Sequence, residues 1–222
     1  MALVHSWRGE FHAADELAEE PITLARVHGF LFWLAVGTIR QGWAVVAQGH
    51  PEIGVTQMRQ GWTALQATGT KLALAGLLSE FAWALGATGE GRAGLALIAE
   101  ALTKAHNTGE HLHTTELYRL KGTLLHLSNI CRLASTVSTP EAGSQTPDAN
   151  AEEYVQQAIQ VARRQCAKAL ELRATVSLGR LWQQQGKGCQ ARQMLAQVHG
   201  WFTAGLATAD LQDAKALLDT LS

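Results

Sequence analysis

Cysteine is scarce in this chain. Cys131, Cys166 and Cys189 stand at unrelated spacings, and no two of them form a Cys-x-x-Cys pair. An odd count so arranged gives no disulfide framework and predicts reduced, buried thiols in a cytoplasmic protein. Proline is also rare: there are four in 222 residues, and Pro140 and Pro147 share one short stretch. Long helices are therefore permitted almost everywhere else. Charge of one sign is missing too. A net charge of -1 supplies no bulk attraction to nucleic acid or anionic lipid. The start, Met1 to His5, lacks the basic residues and long apolar run of a secretory signal. The most apolar stretch, 30–47, is interrupted by Thr38, Arg40 and Gln41. It is too short and too polar to span a bilayer, and reads as a buried helix.

What the chain does have is repetition. Gly9, Gly49 and Gly89 are forty residues apart, and so are Gly29, Gly69 and Gly109. The first series marks a turn inside a helix pair. The second ends each pair, because glycine accepts the left-handed conformation of a helix end. Apolar residues recur at three and four: Leu74, Leu77, Leu78, Phe81 and Leu85 form one such stripe. With 47% hydrophobic residues, stacked pairs have enough apolar surface for a sizeable core.

The expected helices are 31–48 and 52–67, then 71–87 and 92–106, then 110–133 and 151–166, then 168–185 and 190–203. A capping helix is expected at 210–221, within a terminal segment 207–222. A helix over 11–28 precedes them, with Pro21 expected to kink or fray it. Residues 134–150, rich in Ser, Thr, Pro and Gly, read as a flexible insertion in the third repeat. The whole chain, 1–222, reads as one solenoid.

Small residues keep register with the turns. Gly42, Ala82, Gly122 and Gly179 occupy one position of the first helices. Gly54, Gly94 and Ala191, then Gly61, Ala101 and, in the last pair, Val198, occupy two positions of the second, and Ala151 and Ala158 keep that spacing in the third pair. Close helix crossings need such residues. Trp43 and Trp83, forty apart, are expected to fill between pairs. The pattern resembles the tetratricopeptide repeat (TPR), although that repeat has a period of about 34 and ends in a proline absent here. Glu116 to Gly122 and Glu171 to Lys187 further resemble the C-terminal repeats of large bacterial signalling ATPases and nucleotide cyclase-type regulators. The resemblance implies an all-α, right-handed superhelix of about four TPR-like helix pairs plus a cap. It also implies a non-catalytic scaffold, since that family's chemistry lies in other modules.

Sharper motifs fail on chemistry. Gly89-x-Gly91-x-x-Gly94 has the form of a dinucleotide fingerprint. A phosphate loop, however, needs Lys and Ser/Thr where Arg92 and Ala93 stand, and a strand where 81–85 is helical in pattern. His106, His111 and His113 cluster near a turn, but no Cys or paired carboxylate completes a metal-ligand spacing. No cofactor and no catalytic residue is expected. Glu152 and Glu153 read as helix-start charges, and Asp210 as a carboxylate favoured at the start of the cap.

Residues 154–205 hold seven bases against Glu171 alone, about +6, and residues 1–30 sum to about -3. A basic stripe on the last repeats could receive an acidic peptide or an adjacent domain. Arg40, Glu80, Arg119, Arg173 and Arg180, the charges on first helices, are the candidate contacts for a protein or peptide segment, or for an ATPase domain of a parent protein. A second reading is a ligand sensor, with Trp33, Trp43, Trp62, Trp83 and Trp182 lining a groove for a small apolar effector.

Overall fold

The structure, a computed structural model, describes residues 21–70, 74–109, 111–135, 147–205 and 207–221. The described residues form helices and turns, with no strand among them. They divide into two compact units, 1–101 and 102–222.

In the first unit, residues 21–27 are helical, and the rest of the helix expected over 11–28 lies outside the described residues. Then come α1 (Leu31–Ala47), α2 (Pro51–Ala67), α3 (Leu74–Ala87) and α4 (Gly91–Thr108), the last contributing through Ala101. Helix α1 pairs with α2, and α3 packs on both. Ile39, Met58, Leu65, Phe81 and Leu85 are buried between them, with Ala93 and Leu97 of α4 against the same core. Each such side chain taken from water contributes roughly 1.5–3 kcal/mol. Trp43 and Trp83 meet with ring centroids 5.9 Å apart, and Trp62 lies 6.4 Å from Phe81. The tryptophans forty residues apart therefore do fill between helix pairs.

The crossing of α1 and α2 explains the small residues. A Cβ on Gly42 would stand 2.6 Å from the Gly54 carbonyl oxygen and 2.7 Å from Met58 Cγ. One on Gly61 would stand 2.8 Å from Ile39 Cγ1 and 3.0 Å from the Ala35 carbonyl oxygen. Only glycine lets these backbones approach so closely.

The turn at Gly49 works differently. Nothing lies within 4 Å of its missing Cβ, but its φ is +92°. The His50 amide donates to the Val45 carbonyl, closing the helix end. Gly89, at φ +81°, repeats this with Glu90 and Leu85.

The second unit holds α5 (Thr114–Ser135), α6 (Pro147–Arg164), α7 (Lys168–Gln184), α8 (Gly188–His199) and α9 (Ala209–Thr220). Gly122 of α5 faces Ala151 and Val155 of α6, the third pair's version of the small crossing. Val155, Ala158 and Ile159 of α6 then pack with Ala174, Leu178 and Leu181 of α7. Leu211, Ala214, Leu217 and Leu221 close the other side over Leu172, Val176, Leu195 and Val198. Helix α9 thus packs on α7 and α8.

Several boundaries differ from expectation: α5 begins at Thr114, not at 110, and α8 ends at His199, not at 203. Helix α6 begins at Pro147, not at 151, because proline's fixed φ suits a first helical turn, where its missing N–H costs nothing. Helix α5 runs on to Ser135. The expected insertion therefore loses 134–135 and 147–150 to helix, and its remaining residues, 136–146, lie outside the described ones. Gly179 was expected at a crossing with α8, but a Cβ there would meet Leu217 of the cap at 3.1 Å.

Candidate functional site: the charged face of the first helices

The first helix of each pair carries the predicted contact residues, and ion pairs link one first helix to the next. In the first unit, Arg40 of α1 donates to Glu80 of α3 at 3.1 Å. The two residues are forty apart, the same position of consecutive repeats. Burial pushes the Glu80 carboxyl above its ordinary value, against the opposing pull of Arg40. Its second oxygen, Oε2, is buried without a hydrogen-bond partner.

The second unit builds a longer network. Arg119 of α5 holds Glu116 through two guanidinium nitrogens, at 2.5 and 2.9 Å, and reaches Ser177 of α7 at 3.2 Å. Arg173 of α7 grips both oxygens of Asp210 in α9, at 2.7 and 3.1 Å. Arg180 pairs with Asp213 at 2.5 Å. Burial alone would raise the Glu116 carboxyl. The adjacent Arg119, helped by Arg173 and His113, overrides that and holds it at about 2. Burial lowers Arg173, but Glu116 and Asp210 outweigh it and hold the guanidinium above its usual value. Fork-to-carboxylate pairs of this kind fix orientation as well as adding energy.

All five predicted contacts therefore lie on first helices, and each is paired within the chain. Sequence reasoning missed the partners Glu116, Ser177, Asp210 and Asp213. The Glu116–Arg119 pair has a legible signal in its spacing of three on one helix. Asp210 was read only as a helix-start charge, which it also is, in the first turn of α9.

The basic stripe over 154–205 is corrected by the same pairings. Arg163 and Lys168 both donate to the buried Glu171, each at 2.7 Å. These two bonds outweigh the effect of burial and lower the Glu171 carboxyl. Arg173 and Arg180 are held by the cap, and Lys187 pairs with Glu152 at 3.2 Å. Three of the acids, Glu152, Asp210 and Asp213, lie just beyond the window that gave +6, so counting within it overstated the free charge. Arg164 and Arg192 are the exposed bases of that stretch without an ion pair among the described residues.

The thiols also differ from expectation. Cys166 and Cys189 are exposed, because both fall at helix ends: Cys166 in the turn after α6, Cys189 at the start of α8. Nothing is described of the Cys131 side chain. Cys166 stands where other turns use glycine, with φ +54° and the Ala167 amide bonded to the Ala162 carbonyl.

Trp43, Trp62 and Trp83 pack on the core of the first unit, Trp182 packs in the second, and Trp33 is 62% exposed. Within 86–94, residues 88–90 are the turn between α3 and α4, and the flanking residues belong to those helices.

No known family model matches the chain, and no curated protein does. Solved structures do. A putative kinesin light chain from Podosopora anserina, described as having nearly identical TPR-like repeats, aligns over 90% of this chain and 90% of its own, with 17% identity and a TM-score of 0.55. A single-residue variant of it aligns over the same shares, with 17% identity and a TM-score of 0.56. The likeness is one of fold. This chain is thus an all-α stack of TPR-like helix pairs, as its glycine spacing indicates, despite a repeat of forty residues. No helix among the described residues is long and apolar enough to cross a membrane.

Proposed function

We propose that the protein is a non-catalytic interaction scaffold of a cytoplasmic, bacterial signalling protein, the repeat part of an ATPase or cyclase-type regulator. Its partner is a protein segment or the neighbouring ATPase domain, docked on the charged face of the first helices. One observation carries the reading. Within each unit, polar contacts pass directly between first helices and on to the cap: Arg40 to Glu80, Arg119 to Ser177, and Arg173 to Asp210 of the cap. The second helices therefore do not cover that face, and the half-exposed Arg180 guanidinium remains on it. Stacked repeats present such surfaces for extended partners.

The test is capture of an isolated ATPase module of the same signalling class by the full chain. Arg180, whose side chain is 54% exposed, is the residue to reverse, because Arg180→Glu leaves the cap's Arg173 anchor intact. Binding that weakens at least tenfold in Arg180→Glu supports the reading. No capture by the wild type, or capture indifferent to Arg180→Glu and Arg40→Glu, overturns it.

A further inference from the structure

Helix α5 carries the charged face on into an apolar one. Glu116, Arg119, Thr123, Leu127 and Ile130 follow one another at spacings of three or four, which sets them along one side of the helix. The first two belong to the ion-pair network. Leu127 and Ile130 are 49% and 41% exposed, and they are the only large apolar side chains left so open among the described residues of α5.

Two bonds between helices fix this row beside α7. Arg119 donates to Ser177, and the His126 ring donates to Gln184. Each pair is 58 residues apart, so α5 and α7 run side by side in one register. On α7, Ser177, Arg180 and Gln184 are three and four apart and share a side. Arg180 therefore lies between the two bonds, and Leu127 stands just past the second. The half-exposed Arg180 and the apolar pair thus belong to one strip. Ile130 is about 12 Å along α5 from the level of Arg180, roughly two helical turns.

We propose that this strip receives a short acidic amphipathic helix, which sets a carboxylate on Arg180 and two aliphatic side chains, one turn apart, on Leu127 and Ile130. This rests on the scaffold function proposed above and adds the chemistry of the partner to it. The carboxylate follows from charge. Arg180 gives up little in leaving Asp213, because their pair is about half exposed on both sides. The helix follows from spacing. Leu127 and Ile130 are one turn apart, so a helix lying along α5 meets them with its own side chains one turn apart. Other occupants fit less well. A second copy needs about 800 Å² from each partner, which two half-exposed side chains do not supply. The chain's own stretch 136–146 holds one large apolar residue, Val137, against two to be covered.

The probe is a phage-displayed library of helical peptides of roughly four turns, randomised along one face and panned on the full chain. Selected peptides are then titrated by fluorescence anisotropy. The expected winners carry Asp or Glu followed, over the next two turns, by two aliphatic residues three or four apart. Their affinity should fall at least tenfold in Arg180→Glu, and as far in Leu127→Ser with Ile130→Ser, with circular dichroism unchanged. Should the double variant melt early, Leu127→Gln alone must weaken binding at least threefold. No enrichment, winners without this pattern, or binding that survives either change overturns the proposal. Capture of the ATPase module that is lost in Arg180→Glu but unmoved by Leu127→Ser with Ile130→Ser overturns it too, and leaves the scaffold function standing. Peptides that bind as expected while the module is not captured uphold the strip and remove that module as its partner.

Discussion

Gly42→Ala isolates the physical reason for the α1–α2 crossing, because two opposing terms are known. In an exposed helix interior the change stabilises by roughly 1 kcal/mol, since alanine loses less backbone freedom. At Gly42 the new methyl would sit 2.6 Å from the Gly54 carbonyl oxygen, 2.7 Å from Met58 Cγ and 2.9 Å from the Met58 amide nitrogen. Two of those three atoms are backbone, which cannot turn aside without moving a helix. Overpacking of this kind costs about 2–3 kcal/mol, the upper part of its usual range. The net expectation is a loss of about 1–2 kcal/mol, or a fall in melting temperature of roughly 5–10 °C for a unit of this size. The assay is urea unfolding followed by circular dichroism, with tryptophan emission as a second probe. Trimming Met58 in Gly42→Ala, Met58→Ala should not rescue stability, because the Gly54 carbonyl remains in the way. Gly37→Ala, whose new methyl has Ile22 side-chain atoms and no backbone as its nearest contacts, should cost less. A Gly42→Ala protein more stable than wild type would refute the close crossing.

Cys166→Gly should stabilise by about 0.5–1 kcal/mol, since a cysteine held at φ +54° carries a strain that glycine lacks; a thermal melt reads the change. The network at Glu116 makes stability depend on acid. Its folded-state value is depressed from 4.5 to about 2, so its contribution is fully present above pH 4.5 and is lost as pH falls toward 2. At about 1.4 kcal/mol per unit this amounts to about 3 kcal/mol at most, and Glu116→Gln should flatten that part of a pH-resolved melting curve. Glu80 has the opposite sign. Its value is raised, so stability falls as pH rises from 4.5 through the folded-state value, and Glu80→Gln should raise the melting temperature at pH 7. Glu171→Ala should cost about 1–3 kcal/mol in chemical unfolding, because it removes two charged hydrogen bonds but leaves Arg163 and Lys168 largely in solvent.

The turns were the most legible part of the sequence, because a positive φ restricts the residue more tightly than any packing contact does. Gly49 and Gly89 announce themselves for that reason, whereas Cys166 occupies the same conformation and announces nothing. The crossings were nearly as clear. Gly42 and Gly54 are small because backbone lies against them, and that requirement recurs with the repeat. The charges were half legible. Their placement on first helices follows from period and phase. Their partners, such as Asp210 for Arg173, depend on the rotation between neighbouring helix pairs, to which spacing along the chain is blind. Counting charge in a window failed at 154–205 for the same reason, since the acids that neutralise it enter from the neighbouring helices.

These pairings also bear on how the charged face could work. A carboxylate arriving at Arg173 must displace Asp210, which already occupies the guanidinium fork at 2.7 and 3.1 Å. Displacing it would weaken the hold of α9 on α7, leaving the apolar contacts of Leu211, Ala214 and Leu217 to retain the cap. Arg180 offers a different exchange. Its pair with Asp213 is about half exposed on both sides, where such pairs are worth only ~0–1 kcal/mol, so an incoming acid displaces little. A partner binding this face should therefore engage Arg180 before Arg173. In competition with salt, its affinity should fall in Arg180→Ala at all salt concentrations. Asp210→Asn should instead strengthen binding, by freeing Arg173, and lower the melting temperature. Binding that weakens in Asp210→Asn would show that the cap's carboxylate helps to form the face and does not compete for it.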